Sequence, residues 1–414
     1  MSNKNIIVNK FGGTSVGSIE RIQAVADRLV DMAKAGNSVV TVVSAMGKST
    51  DQLVEMANEI SNGTPDSREY DALISTGENI SAALLSMALI TRGVPAISLN
   101  GRQAGIKTEA IFSKAKITNV DNARIHSELN DGKIVIITGF QGYTDCDNIT
   151  TIGRGGSDTS AVVLAAALGA KECQIYTDVD GVYTTDPRIC KDAQKLEAVS
   201  CDEMLELASL GAGVLHPRAV ECAKEHGITL HVRSSFNTNT GTRVKEMKTM
   251  ETNHAVTGVA VAKDEAKLSI YRIPDQPNIA AQIFESLGKA HINVDMIVQS
   301  SSQNGLNDIT FTVTRGDVKK AQDILSTLVS GLDASGISSN EHVAKVSIVG
   351  VGMISRPGIA AQMFRVLGEN NINIDLISTS EIKVSCVVPV EQAELAVQKL
   401  HQAFITDAQP VLSE

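Results

Sequence analysis

Residues 6–44 read IIVNKFGGTSVGSIERIQAVADRLVDMAKAGNSVVTVVS and contain one complete strand-helix-strand unit. The β-branched runs at 6–8 and 38–44 predict two strands. Ser18 is placed to cap the start of the intervening helix and Gly36 to end it. The apolar residues that recur at helical spacing between them are Ile19, Ile22, Val25, Ala26, Leu29, Val30 and Ala33. The unit therefore predicts parallel strands covered by a helix.

The same alternation of strands and glycine-terminated helices continues to about residue 235. The clearest further strands are residues 94–98, 133–138 and 173–177. We therefore expect an α/β fold for residues 1–236, an αβα sandwich around a mainly parallel sheet. A polar stretch at 237–254 interrupts the pattern and is predicted to be a linker.

An internal repeat occupies the remainder of the chain. Pro277 followed by IAAQIF recurs 80 residues later as Pro357 followed by IAAQMF, and INVDMI recurs as INIDLI. Each copy has the pattern strand, helix, strand, strand, helix, which predicts two related modules. Their expected bounds are 266–340 and 341–414, and the strand at 255–265 is expected to complete the second module.

Composition excludes several classes of protein. The 414-residue chain is 43% apolar and carries a net charge of -10 without Lys/Arg clusters, so a nucleic acid or an anionic membrane is not an expected partner. The polar start at 1–5 lacks a signal-peptide core, and no apolar run approaches the roughly 20 residues that span a bilayer. Six cysteines without a C-x-x-C pair are expected to be reduced thiols, so a cytoplasmic location is expected.

The stretch KFGGTS at 10–15 is the first candidate for chemistry. A strand ends in Lys10, and two glycines precede the helix, so backbone amides can approach an anion such as a phosphate. A glycine turn with a solvated lysine explains the hexapeptide alone equally well.

The stretch GRGGSD at 153–158 is the second candidate, and it precedes a predicted helix at 159–168. Ser157 and Asp158 alone could be helix caps. Three glycines around an arginine exceed what a cap needs, and a guanidinium suits two-point capture of a carboxylate or phosphate. The function of binding an anion is therefore favoured.

The stretch TDVDGVYTTDPR at 177–188 follows a strand and is rich in carboxylates and hydroxyls. Open α/β sheets bind ligands at the carboxyl ends of their strands, although a plain turn is the alternative. Weaker candidates are Ser44 with Thr50, and Glu78 in the stretch TGE, where a carboxylate in a first helical turn is more often a favourable charge than a ligand.

Two nucleotide-binding patterns are incomplete. The GKS at 47–49 resembles the end of a Walker loop, but Val42 stands where the opening glycine belongs. Gly350 and Gly352 follow a strand as in a dinucleotide fingerprint, but Ser355 replaces its third glycine. Neither pattern predicts a nucleotide site.

Taken together, KFGGTS, SAMG with Thr50, STGE, GFQG, GRGGSDT and TDVDGVYTTDPR resemble the monofunctional aspartate kinases of the amino-acid kinase superfamily, in that family's order. The resemblance covers essentially the whole chain. It implies a kinase domain followed by two ferredoxin-like βαββαβ ACT domains, the first inserted into the second. It also implies synthesis of 4-phospho-L-aspartate from ATP and L-aspartate with Mg²⁺.

The resemblance also implies roles for individual residues. Arg154 is expected to hold the α-carboxylate of aspartate and Glu78 its amino group, while Lys10 holds the transferring phosphoryl group. The catalytic residues are then Lys10 and Asp158, and no protein metal ligand is assigned. The remaining aspartate pocket is expected to contain Ser44, Thr50, Phe140 and Ser157. The nucleotide is expected to contact Gly12, Gly13, Thr177, Asp178, Tyr183 and Arg188.

The repeat makes feedback inhibition the natural hypothesis, and the resemblance leaves lysine, threonine, methionine or a combination of them open as the effector. The effector residues implied by similarity are Asp275, Gln299, Asn373, Ile374 and Glu381. The sequence departs from the family at three positions. Gly213 stands where many relatives carry a lysine near the nucleotide, Asn278 replaces a glycine and is expected to cap a helix, and Ser355 replaces an aspartate.

Alternatives remain within this reading. A kinase for glutamate or N-acetylglutamate would share the lysine and glycine loop, and an amino-acid sensor with a decayed kinase domain would share the repeat. A fused homoserine dehydrogenase is excluded by length. A homo-oligomer through the ACT domains is expected, and Met247 or Met250 would suit the start of a shorter second subunit.

Overall fold

The computed structural model describes residues 5–153, 155–211, 213–247, 255–300, 304–329, 331 and 334–407. It divides into two compact units. The first consists of Met1–Val182, Lys195–Ser209 and Gly213–Lys248, and the second of Tyr183–Gln194, Leu210–Ala212 and Thr249–Glu414. The first unit extends to Lys248 through a strand at Thr242–Lys245, so this part of the expected linker 237–254 belongs to the sheet instead. The expected domain 1–236 also differs in the segment Tyr183–Gln194. This segment belongs to the second unit because Ile189 packs against that unit's apolar core.

The first unit is built on a mainly parallel sheet. Its described strands are β1 (Ile6–Phe11), β2 (Ser38–Val43), β3 (Ala96–Leu99), β4 (Ile106–Thr108), β5 (Ile117–Val120), β6 (Ile134–Thr138), β7 (Gln141–Tyr143), β8 (Ile149–Thr151), β9 (Glu172–Thr177), β10 (Ala198–Ser200), β11 (Thr229–Ser234) and β12 (Thr242–Lys245). Eight of these described strands form one sheet in the order β10-β12-β11-β9-β1-β2-β6-β3, and β5-β4-β7-β8 form a smaller one. All neighbours in the larger sheet are parallel except β11 and β12.

Helices cover this sheet. Those described in the first unit are α1 (Ile19–Lys34), α2 (Ser49–Ile60), α3 (Ser67–Ile74), α4 (Thr76–Thr91), α5 (Ala123–Asn130), α6 (Gly156–Ala167), α7 (Cys201–Ser209) and α8 (Pro217–His226). The Ser18 side chain accepts a hydrogen bond from the Arg21 backbone N–H at the start of α1, as its position predicts. Apolar side chains of α1 and α4 pack against β1, β2 and β6. The αβα arrangement is confirmed.

The stretch Ser67–Thr91, which contains α3 and α4, is apolar enough to resemble a membrane span. Among the described helical stretches it alone is long and apolar enough to cross a membrane. More than half of its most apolar part is buried inside the structure. Burial of this kind is typical of a core helix.

The central parallel strands end level with one another. Phe11 at the end of β1 is paired with Val43 of β2 and with Tyr176 of β9, while Val43 is paired with Thr138 of β6. The loops that follow these strands therefore meet at one edge, where open α/β sheets place ligands. Each of the chemical motifs found in the sequence of this unit follows one of these strands or faces them.

The second unit contains both repeats on one sheet. Its described strands are β13 (Gly258–Pro274), β14 (Asp295–Gln299), β15 (Leu306–Val313), β16 (Gly336–Val349), β17 (Leu376–Thr379) and β18 (Lys383–Pro389). Their order is β14-β15-β13-β16-β18-β17. The described helices are α9 (Ile279–Lys289), α10 (Val318–Val329), α11 (Ile359–Glu369) and α12 (Ala393–His401). The strand and helix order expected for two ACT domains is present.

Two long strands serve both repeats. Residues 258–262 of β13 pair with 345–349 of β16, and residues 267–271 pair with 336–340. The sequence predicts a strand at 255–265 that belongs to the second module and is separate from the first module, which starts at residue 266. The structure has one continuous strand because irregularities in the register near Glu265 accommodate the polar residues Lys263 and Asp264 without ending it.

The start of α9 agrees with the sequence prediction in position but not in its hydrogen bond. Asn278 takes the N-cap position, as expected, but its side chain makes no capping hydrogen bond and its backbone has a φ of 72°. Gly358, its counterpart in the second repeat, has a φ of 92°. Asparagine can stand in place of glycine here because it tolerates the left-handed region better than most other residues.

The alternative interpretation of Ser157 and Asp158 as helix caps is wrong. Both lie inside the first turn of α6, whose cap position is Gly155.

Candidate active site

Lys10 and Asp158 form a nearly buried ion pair at the edge where the central strands end. The Lys10 Nζ lies 2.7 Å from the Asp158 Oδ1, and the two side chains are 12% and 11% exposed. Lys10 comes from β1 and Asp158 from the first turn of α6, so two distant motifs meet here. Limited solvent access strengthens the field that this cation exerts on a neighbouring anion.

The glycine loop after Lys10 packs backbone against backbone. The Gly12 N–H donates to the Tyr176 carbonyl over 3.1 Å, and the Gly47 N–H donates to the Gly13 carbonyl over 3.0 Å. A Cβ atom at Gly13 would lie 3.0 Å from the carbonyl oxygen of Ala45. A side chain at Gly13 would therefore push apart the loops that follow β1 and β2.

Glu78 is a buried carboxylate with an unused oxygen. Glu78 is 3% exposed, and its Oε1 accepts a hydrogen bond from the Ala45 N–H over 3.2 Å. Its Oε2 has no hydrogen-bond partner among the described residues. Burial raises the pKa of Glu78 to about 7, although the backbone N–H groups of Glu78 and Ala45 act in the opposite direction. A cation placed at Oε2 would satisfy the buried oxygen and favour the ionised form.

Ser44 and Thr50 lie beside Glu78. The Ser44 carbonyl accepts a hydrogen bond of 2.7 Å from the Ser81 hydroxyl on α4. A Cβ atom at Gly77 would lie 2.8 Å from the Ala45 Cβ, so the absence of a side chain lets the start of α4 approach the loop after β2 closely. The same Cβ position lies 3.7 Å from the Thr50 Oγ1, which is an ordinary contact distance. These contacts bring Ser44, Thr50 and Glu78 together.

Phe140 and Ser157 lie near the end of β2, next to the turn that follows β6. Phe140 has a φ of 70°, and its backbone N–H donates to the Ser160 hydroxyl over 3.2 Å. A Cβ atom at Gly139 would lie 2.6 Å from the Ser157 Oγ. The Gly139 N–H donates to the Val43 carbonyl, which joins this turn to the end of β2.

Arg154 lies outside the described residues, but the glycines on either side of it are described. Gly153 and Gly155 have φ values of 86° and 70°, which favour glycine. The His216 ring packs directly against Gly155, and its Nδ1 accepts a hydrogen bond of 3.3 Å from the Arg218 N–H. Burial lowers the pKa of His216, which favours the neutral imidazole against this loop.

The four predicted nucleotide residues after β9 are divided between the two units. Thr177 ends β9, and its Oγ1 donates to the Asp178 Oδ1 over 3.1 Å. Tyr183 and Arg188 belong to the segment of the second unit described above. The Arg188 side chain is 90% exposed and forms an ion pair with Asp186 over 2.7 Å.

Gly213 stands at the position where the sequence resemblance implies a lysine. Its backbone has a φ of 61°, a region in which side chains other than those of Asn and Asp are uncommon. A lysine at this position would be strained in the present backbone conformation.

The predicted effector residues lie on the two repeats. In the first, the Asp275 Oδ1 accepts a hydrogen bond of 3.2 Å from the Asn307 side chain, and Gln299 is an exposed residue at the end of β14. In the second, the Asn373 side chain donates to the Asp375 Oδ1 over 3.2 Å, Ile374 is half-buried, and Glu381 is exposed between β17 and β18.

Gln141 is a site-forming residue that the sequence did not single out. Its side-chain amide donates to the Ser75 carbonyl and, over 3.3 Å, to the Asn79 Oδ1, while its Oε1 accepts from the Thr138 hydroxyl over 2.9 Å. It therefore ties the start of α4, which carries Glu78, to the end of β6. Its only sequence signal was membership of the GFQG stretch.

The sequence is similar to known proteins along almost its whole length. Residues 5–234 match the amino acid kinase family, and residues 272–328 and 346–404 match the ACT domain. An aspartokinase of Bacillus sp. (strain MGA3) is 52% identical over 409 residues, which is 99% of both chains.

Two solved structures of aspartokinase III from E. coli are also similar, each 27% identical and covering 97% of this chain and 99% of the other. The complex with aspartate and ADP has a TM-score of 0.82, and the complex with lysine and aspartate has a TM-score of 0.75. The chain belongs to the amino acid kinase family and, within it, to the aspartokinases.

Proposed function

We propose that this aspartokinase binds L-aspartate between Glu78 and the glycine loop at 153–158, with Lys10 directed at the phosphoryl group of ATP. The observation that carries the proposal is the unused, buried Oε2 of Glu78. A substrate ammonium would pair with that oxygen, and the Arg154 guanidinium would take the α-carboxylate in two-point fashion. Ser44, Thr50, Phe140 and Ser157 would surround the substrate.

The chemistry needs no general base. The β-carboxylate of aspartate is ionised at neutral pH, so one of its oxygens attacks the γ-phosphorus directly. A carboxylate-phosphorus bond forms, the bond to the β,γ-bridging oxygen breaks, and ADP leaves with that electron pair. Positioning and charge neutralisation remain for the protein, and Lys10 would supply the latter with Asp158 holding its ammonium in place.

Magnesium is proposed to enter with ATP. The described part of the chain contains no group of three or more His, Cys, Asp or Glu side chains able to hold an ion, and Mg²⁺ commonly takes substrate phosphates, waters and one or two carboxylates. When bound, the ion would neutralise phosphate charge.

The substrate assignment is tested with a panel of acids. Release of ADP is measured with aspartate, glutamate and N-acetylglutamate at fixed ATP and magnesium. Of the three acids, only aspartate is expected to support ADP release. Faster ADP release with glutamate or N-acetylglutamate would show that the enzyme is a kinase for that acid within the same superfamily. No ADP release with any of the acids would favour an amino-acid sensor without kinase activity.

Replacing Arg154 with lysine is expected to raise the KM for aspartate and change kcat less. Lysine keeps the charge but cannot reproduce the planar two-point grip on a carboxylate. Calorimetric titration with aspartate checks the loss, and Arg124→Lys on the exposed face of α5 is the matched control. Unchanged aspartate binding in Arg154→Lys would move Arg154 to the nucleotide side of the site.

Control by an amino acid is proposed for the second unit. The lysine complex of the E. coli relative supports a lysine effector, and threonine remains the alternative. Asp275 would pair with an effector ammonium and Gln299 would bind its carboxylate. Asn373, Ile374 and Glu381 would line the corresponding place in the second repeat. An effector acts by binding the less active arrangement better.

Replacing Gln299 with alanine is expected to leave uninhibited activity close to native and to raise the inhibitor concentration needed. The coupling free energy between an effector site and a catalytic site is typically about 1 to 3 kcal/mol. Removal of one residue that binds the effector is therefore expected to abolish most of the inhibition. Dose-response curves with lysine, threonine and both, at fixed aspartate, provide the measurement. Gln282→Ala on the exposed face of α9 is the control, and superimposable curves for Gln299→Ala would exclude Gln299 from the effector site.

The assembly and location are proposed from the family resemblance and the cysteine usage. A homo-oligomer joined through the ACT domains is proposed, with a shorter second subunit starting at Met247 or Met250 as a variant of that assembly. Met247 is 43% exposed, and Met250 lies outside the described residues. A cytoplasmic location is proposed from the reduced cysteines. Gel filtration of the purified chain tests the assembly.

A further inference from the structure

Asp71 is a fully buried carboxylate that none of the predicted roles uses. It lies on α3, is 0% exposed, and has no ion-pair partner among the described residues. Its Oδ2 accepts hydrogen bonds from the backbone N–H groups of Ser113 and Thr151, over 2.9 and 2.7 Å. Its Oδ1 accepts from the Ser113 and Thr151 hydroxyls over 3.2 and 2.8 Å, and from the Ser113 N–H over 3.0 Å.

The two residues that Asp71 holds form the base of the glycine loop at 153–158. Thr151 is the last residue of β8, two positions before Gly153. A Cβ atom at Gly153 would lie 3.0 Å from the Ser113 carbonyl oxygen. The Ala115 N–H donates to the Thr151 carbonyl over 3.0 Å, which joins the two segments directly. A shift of Ser113 or Thr151 would therefore move the loop.

The backbone of Asp71 is connected to the opposite side of the pocket. Its carbonyl accepts a hydrogen bond of 3.2 Å from the Ser75 N–H, and α4 begins at the next residue. Glu78 lies in the first turn of α4. Asp71 is thus tied through its side chain to the glycine loop and through its backbone to the helix that carries Glu78.

We propose that Asp71 is a positioning residue that sets the separation between Glu78 and the glycine loop, so that both ends of the aspartate backbone are held at once. The inference rests on the proposed function, in which these two elements grip the ammonium and the α-carboxylate. Asp71 touches no substrate. It acts because a small misplacement of binding groups weakens a two-point grip on a small rigid ligand.

The test compares Asp71→Ala with Asp71→Asn by steady-state kinetics. Asp71→Ala is expected to raise the KM for aspartate by roughly tenfold to a hundredfold, with the KM for ATP within about twofold of native. Asp71→Asn is expected to restore most of the affinity. Its amide oxygen can accept from the two backbone N–H groups, and its amide N–H₂ can donate to the Ser113 and Thr151 hydroxyls, which rotate to accept.

A loss of stability alone would give a different result. Unfolding of part of the sample lowers the apparent kcat but leaves both KM values unchanged, so the split between the two substrates identifies positioning. If Asp71→Ala does not fold, Thr151→Val decides, because it removes one hydroxyl donor and keeps the backbone N–H. A rise of about threefold in the KM for aspartate is then expected, consistent with one modest hydrogen bond.

Kinetics of Glu78→Gln, measured in parallel, distinguish failure of the Asp71 positioning role from failure of the proposed aspartate pocket. If Glu78→Gln raises the KM for aspartate while the Asp71 and Thr151 variants leave it unchanged, the positioning role is overturned and the proposed pocket stands. An equal rise in both KM values for Asp71→Ala would also overturn the role. If Glu78→Gln itself has no effect on aspartate, the proposed pocket is wrong.

Discussion

Replacing Lys10 with alanine is expected to lower kcat by about a hundredfold to a thousandfold while the KM for ATP changes little. Lys10 is assigned to charge that develops on the transferring phosphoryl group, and losing one such contact typically costs about 2.7 to 4 kcal/mol. The Lys10 side chain is 12% exposed, so little water is available to replace its ammonium group. Steady-state kinetics at saturating aspartate provide the measurement.

The ion pair offers a second readout for this prediction. Without Lys10, Asp158 remains nearly buried and unpaired, which adds a like charge near the phosphates. If the two residues act as a unit, the Lys10→Ala, Asp158→Asn double variant should lose no more activity than the worse single variant. Lys34→Ala, on the exposed last turn of α1, is the control. Near-native turnover of Lys10→Ala would remove this lysine from the mechanism.

Replacing Glu78 with glutamine is expected to raise the KM for aspartate by about tenfold to a hundredfold. Hydrogen bonds to charged groups typically contribute about 1.5 to 3 kcal/mol, and glutamine cannot offer a carboxylate to an ammonium. Glu59→Gln, on the exposed face of α2, is the control. Native aspartate affinity in Glu78→Gln would mean that the substrate amino group binds elsewhere.

The pH dependence of binding gives an independent check on Glu78. Its pKa is raised to about 7 by burial, so the free enzyme holds a proton there at lower pH and must release it to bind an ammonium. The KM for aspartate is therefore expected to fall as pH rises from 5.5 towards about 7 and to level off above it. The Glu78→Gln variant should lack this dependence.

The same shift predicts a change in stability. A pKa raised above the unfolded value favours the folded state at low pH, and that contribution is lost as pH rises through about 7. Glu78→Gln should therefore raise Tm relative to native more at pH 8 than at pH 5. Thermal unfolding of both proteins at the two pH values provides the measurement.

Features that depend on residues close together in the chain were predictable from the sequence. The period of apolar residues between Ser18 and Gly36 predicted α1, and the repeat beginning at Pro277 and Pro357 predicted two related modules. The glycine loop after Lys10 was also visible, because glycine spacing reports local backbone freedom. The order of these motifs was enough to indicate the family, and the comparisons confirm it.

Contacts between residues far apart in the chain are visible only in the folded structure. The Lys10 and Asp158 pair, the ties made by Gln141 to Ser75, and those made by Asp71 to Thr151 join separate parts of the chain, and no local pattern encodes such partners. The continuity of β13 likewise depended on pairing with β16, because the ladder that is interrupted after Ala262 resumes at Glu265 on the same partner strand. Local periodicity specifies elements, whereas their partners depend on how the buried surfaces of the whole fold fit together.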